Sequence, residues 1–150
     1  MYKVSEIAKW FIARNKADYE MGYTDELITN LKLQKLLYYA QGCVMALTDE
    51  PLFDEDIQAW EHGPVVPEIY HKYKSYGKSG IDLDEPFDEG VIDEETRNIL
   101  ESVYNEFGQY SAWKLRNMTH EETPWKETKK NCTISKGAIK RYFVAHYIEQ

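Results

Sequence analysis

Leu31-Lys32-Leu33-Gln34-Lys35-Leu36-Leu37-Tyr38-Tyr39-Ala40-Gln41-Gly42 is the stretch that decides the fold. Leu33, Leu36, Leu37 and Ala40 continue into Val44 and Leu47, and this recurrence at three and four residues sets one apolar stripe along an α-helix. Thr29 or Asn30 opens the helix by offering a side-chain oxygen to free backbone N–H groups, and Asp49-Glu50-Pro51 closes it. Gly42 in the interior lowers helix propensity by about 1 kcal/mol relative to alanine, which points to a close helix contact at that position. Tyr38 and Tyr39 flank the stripe.

The same periodicity extends outward in both directions. Upstream, Val4, Ile7, Ala8, Phe11 and Ile12 predict a first helix that ends near Gly22. Downstream, Asp56-Ile57-Gln58-Ala59-Trp60 alternates like a short strand, and Glu61-His62-Gly63-Pro64-Val65-Val66-Pro67 reads as a rigid turn into a helix carrying Val66, Ile69, Tyr70 and Tyr73. Residues 78–91 are an acidic loop. Asp93 caps a helix with Thr96, Ile99, Leu100, Val103 and Phe107 inward, and Ser111 caps a short one carrying Trp113, Leu115 and Met118. Thr123 as cap with Pro124 at the first helical position marks another start. The last helix begins at Ser135, with Ile134 and Ile139 spaced as a hydrophobic staple and Ile139, Tyr142, Phe143, His146 and Tyr147 facing inward. The expected fold is therefore mostly α: a compact single domain over residues 1–150, with about six helices and a short β element.

Composition narrows the function classes. Apolar residues at 43% and aromatics at 14% supply a core without a metal or disulfide staple. The net charge of −8 opposes a duplex-binding role, which needs clustered Lys and Arg, and favours a partner with a basic surface. Cys43 and Cys132 are far apart and form no metal-binding pair, while the N-terminus lacks a signal-peptide pattern and no apolar run reaches membrane-helix length. A cytoplasmic location is expected.

Few residues offer chemistry. His62 and His120, with Glu121 or Cys132, make a hydrolase the alternative function, but no nucleophile motif accompanies them, and the plain reading is that both imidazoles tie irregular segments to backbone. No phosphate loop or ligand spacing for a metal is present, so no cofactor is expected. The run Asp82-Leu83-Asp84-Glu85-Pro86-Phe87-Asp88-Glu89 reads either as a solvated loop or as a docking strip, with Asp82, Asp84, Asp88 and Glu89 giving charge and Phe87 an apolar anchor.

Three segments together resemble the Panacea-domain family: the helix containing Leu33, Lys35, Leu36 and Tyr38; the run Trp60-Glu61-His62-Gly63-Pro64-Val65 followed by Tyr70; and Thr119-His120-Glu121-Glu122-Thr123-Pro124-Trp125. Their order and spacing match that family, which includes SocA-like antitoxins and GepA-like phage-associated proteins. The resemblance implies a protein partner, a toxin encoded by a neighbouring gene, neutralised by direct binding or by presentation to a ClpXP-type protease. It implies no catalytic residue, and DNA-binding autoregulation is not expected of the core domain alone. The motif residues, including Trp60, His62, Gly63, Pro64, His120, Pro124 and Trp125, are then scaffold or interface. A homo-oligomer stays open.

Overall fold

The deciding stretch lies within α2, Asn30–Thr48, preceded by α1, Val4–Glu20. The computed structural model describes residues 1–148. The Thr29 hydroxyl accepts from the Lys32 N–H and caps α2, and Asp49 in the left-handed region (φ 63°) ends it. Unlike an amphipathic surface helix, α2 is buried on all sides, from Leu33 continuously to Gly42. It is the axle of the fold.

The other elements follow in order: β1 (Ile57–Trp60), β2 (Gly63–Val65), α3 (Pro67–Lys72), α4 (Glu94–Phe107), α5 (Ala112–His120), α6 (Thr123–Lys126), β3 (Thr133–Ile134) and α7 (Lys136–Phe143). A π-helical turn, Val144–Ile148, continues α7. Helices α1, α3, α4, α5 and α7, together with β2, all pack on α2. The sheet is antiparallel in the order β2-β1-β3, with Ala59 opposite Pro64 and Ile57 opposite Ile134. The expected rigid turn is thus a hairpin. Pro64, which has no N–H to donate, is tolerated because β2 is an edge strand.

Gly42 fulfils its sequence signal: a Cβ there would sit 2.5 Å from three ring carbons of Phe143. The expected caps at Asp93, Ser111 and Ser135 each accept a backbone N–H, from Thr96, Lys114 and Ala138. Four expectations need correction. Leu47 is 54% exposed at the rim of a surface hollow, and Trp113 is 56% exposed while Leu115 carries the α5 contact. Glu122, not Thr123, is the N-cap residue of α6, and its carboxylate does not cap, being held elsewhere. His146 is exposed, because the wider π turn brings Tyr147 beneath Phe143 (4.9 Å between rings) and rotates residue 146 outward.

Candidate functional site

The three motif segments converge on the middle of α2. Leu33, Leu36 and Tyr38 are fully buried, and so is Lys35, whose Nζ donates to the Pro64 carbonyl at 3.0 Å. Gly63, at φ 111°, opens space for that lysine: a Cβ there would lie 2.6 Å from Lys35 Cε and 2.9 Å from Thr119 Oγ1. Burial, and then the nearby charge of Arg116, pushes the Lys35 amine down to about 7. Pro64 and Val65 are buried in β2, and the Tyr70 carbonyl accepts from Asn30 Nδ2.

A second knot lies one turn along α2. The buried Glu122 carboxylate accepts three tyrosine hydroxyls: Tyr38 and Tyr39 at 2.9 Å each, and Tyr147 at 2.6 Å. Burial raises the Glu122 carboxyl above its ordinary range, while the three O–H donors pull it back down. The same anion, on top of burial, raises the Tyr38, Tyr39 and Tyr147 hydroxyls and helps push the Cys43 thiol up to about 12.

A third contact set joins the hairpin to α6. Trp125 Nε1 donates to the Trp60 carbonyl at 2.8 Å, and His120 stacks flat on Trp125 at 3.9 Å and 6°. Pro124 is buried beside them. Burial, reinforced by the Arg116 charge, lowers His120 below its ordinary value, so its neutral form dominates. His62 occupies the hairpin turn, exposed, and its Nδ1 accepts from Arg116 Nε at 3.3 Å. Neither histidine lines either of two surface hollows. One, of about 490 Å³, runs between α2, α4 and the π turn past Leu47, Phe107 and Ile148. The other, of about 560 Å³, lies where α1 and the start of α2 face the α4–α5 junction.

The acidic run is strapped along α1. Lys16 Nζ bonds Asp82 (2.7 Å), Asp84 (2.8 Å) and the Leu83 carbonyl, and Lys9 sits 3.7 Å from Glu85. Phe87 is half-buried at the edge of the core, and Asp88 accepts from the Gly90 N–H. Asp82, Asp84, Asp88 and Glu89 are exposed. Among the described residues no cluster of three or more His, Cys, Asp or Glu is arranged to hold a metal, and no helix is long and apolar enough to cross a membrane.

Glu122 and Arg116 are functional-looking residues that sequence reasoning passed over. Both lay in plain view: Glu122 inside a quoted motif, Arg116 one turn after Trp113.

The chain is thus an α-rich domain with a small sheet, in which the three motif segments meet at one buried helix. The family model described as antitoxin SocA-like, Panacea domain, matches residues 33–126, and the chain belongs to that family. Among curated proteins it is similar to antitoxin SocA of Caulobacter vibrioides (strain NA1000 / CB15N), with 29% identity over 110 residues, covering 65% of this chain and 58% of that relative. No solved structure matches the chain.

Proposed function

We propose that this chain is an antitoxin that works by binding a protein toxin in the cytoplasm, the toxin being the product of a neighbouring reading frame, and that residues 1–150 act as one domain. The observation that carries this reading is the family match over residues 33–126. The geometry supports binding over hydrolysis, because His120 is held flat against an indole and His62 accepts a hydrogen bond from an arginine. The test is co-expression: the neighbouring product alone should arrest growth, and this chain should relieve the arrest. Relief that disappears in well-folded His62→Gln and His120→Gln variants, together with hydrolytic turnover, would favour the enzyme instead. Toxin half-life in cells with and without a ClpXP-type protease separates occlusion from delivery to proteolysis.

The acidic strap is proposed as the steering surface for a partner more basic than this chain. Its field, with the net charge of −8, speeds encounter over roughly 8 Å at physiological salt. Asp82 and Asp84 share Lys16, so Asp88 and Glu89 supply the larger part of the uncompensated charge, with Phe87 as the apolar anchor. Neutralising Asp82, Asp84, Asp88 and Glu89 together should slow association and flatten its salt dependence, and truncating Phe87 should raise the dissociation rate. Association kinetics indifferent to both changes would remove the strap from the interface.

A further inference from the structure

We propose that Trp113, Arg116 and His62 form a docking patch that reads a carboxylate on the partner protein, flanked by an apolar side chain. This rests on the protein-binding reading above. The molecule contains a completed version of the same device. Arg14 lies 4.7 Å over the Tyr104 ring, and two carboxylates pair with it, Asp18 on Nη1 (2.6 Å) and Glu101 on Nε (2.8 Å). Arg116 lies 4.3 Å over the Trp113 ring in the same relation, but no carboxylate of the described residues pairs with it. Its Nε donates to His62 Nδ1 and its Nη1 to Asn117 Oδ1 at 3.0 Å. The remaining N–H groups of the fork have no acceptor among the described residues.

The platform is rigid. Leu115 anchors α5 in the core, the buried Thr119 hydroxyl donates to the Arg116 carbonyl at 2.8 Å, and the Trp60–Gly63 register fixes the turn that holds His62. A guanidinium stacked on an indole is weakly hydrated and already oriented, so a carboxylate gains two parallel hydrogen bonds at little ordering cost. Arg116 also lies close enough to Lys35 and His120 to add, after burial, to the lowering of both. Trp113, 56% exposed, offers the apolar contact, and Trp and Arg are the residue types that dominate binding energy at interfaces. The overall charge of −8 disfavours nucleic-acid phosphate as the occupant. It also restricts the ligand to a single acidic side chain in a partner face that is otherwise neutral or basic.

The experiment titrates the ¹⁵N-labelled full chain with a blocked Leu-Glu-Leu peptide and, separately, with Leu-Gln-Leu, following the Trp113 indole N–H, assigned by its loss in Trp113→Phe. The glutamyl peptide should shift that resonance saturably, and the glutaminyl peptide should bind at least about fivefold more weakly. Arg116→Lys, which keeps the charge but loses the fork, should weaken the glutamyl peptide comparably. Equal response to both peptides, or tighter binding of a single-stranded oligonucleotide, overturns the proposal. A dimer of the free chain lost in Arg116→Ala overturns it in favour of a second copy. With the toxin in hand, Arg116→Ala and Trp113→Ala, both with unchanged thermal midpoints, should each weaken the complex about thirtyfold or more. A complex indifferent to both variants overturns the patch as an interface and leaves the antitoxin reading standing. Failure to find any toxin, with the peptide response intact, overturns the antitoxin reading and supports the patch.

Discussion

Glu122 and Asp84 are both carboxylates, each held by groups from another part of the chain, yet they face opposite physical situations. Glu122 is out of water, and three neutral hydroxyls solvate it in place of the solvent it lost. Asp84 stands in solvent and shares an ammonium with Asp82. The shifts have opposite signs accordingly: burial raises the Glu122 carboxyl, while the hydrogen bond and charge of Lys16 lower that of Asp84. Interior polar groups around α2 define one arrangement of the fold, because losing any partner strands the rest. The strap's ion pairs are exchangeable with water and leave its charge available to a partner.

Removing the interior acceptor gives the largest expected effect. Glu122→Leu strands three tyrosine hydroxyls and should destabilise by about 3–5 kcal/mol, read as a shift in urea midpoint at constant slope. A loss below about 1 kcal/mol would mean the hydroxyls find water, and the contrast with the strap would collapse.

Lys35 sharpens the comparison through pH. Its folded value is near 7, below the ordinary 10.5, so between these pH values the unfolded chain binds a proton that the folded chain does not. Stability should therefore rise with pH from about 7, with a slope approaching 1.4 kcal/mol per pH unit, and Lys35→Met should abolish that slope. From about pH 9 the raised Cys43 thiol offsets this rise, and above about pH 10 the Tyr104 hydroxyl, like that thiol pushed up to about 12, reverses it, because the folded chain then keeps protons that the unfolded chain loses. Urea midpoints at pH 7, 8 and 9 decide it.

Tyr147→Phe removes one of three donors from a carboxylate that retains two, and should lose about 1–3 kcal/mol. It should also raise the Glu122 carboxyl further. Because that carboxyl is already raised in the folded state, its contribution to stability grows as pH falls through the folded value, and the mutant should gain more than the wild type on mild acidification. The smallest effect belongs to the strap: Asp82→Asn with Asp84→Asn should leave the thermal midpoint nearly unchanged. The Asp84 contribution runs the other way with pH, being present above the ordinary carboxylate value and lost as pH falls through the lowered one.

What was legible in the sequence was local. Thr29, Asp93, Ser111 and Ser135 cap their helices through side-chain oxygens that accept from the N–H three residues on, and Gly42 signalled a close approach without naming Phe143. The strand β3 was not legible: two residues carry no period, and they form a strand only because Ile134 meets Ile57 across the sheet. Lys35 and Glu122 were quoted as motif members, but a stripe of leucines implies a wet opposite face. Nothing in the spacing says that α2 is enclosed, so the burial of its lysine and of the carboxylate beside it had to come from tertiary structure. The Trp113–Arg116 pair was readable as neighbours one helical turn apart. Its missing carboxylate was not.

The enclosure of α2 has a consequence for synthesis. The ring that closes over Gly42 belongs to Phe143, which is synthesised long after the helix it covers. At ordinary elongation rates of about 5–20 residues per second, the most apolar helix waits roughly 5–20 s for its last cover. A nascent or truncated chain therefore displays Tyr38, Tyr39 and their neighbours as a sticky, polar-knotted surface with its carboxylate partner half assembled. Chaperones and proteases would meet that surface first, so the supply of finished molecules is set partly by how quickly residue 143 arrives.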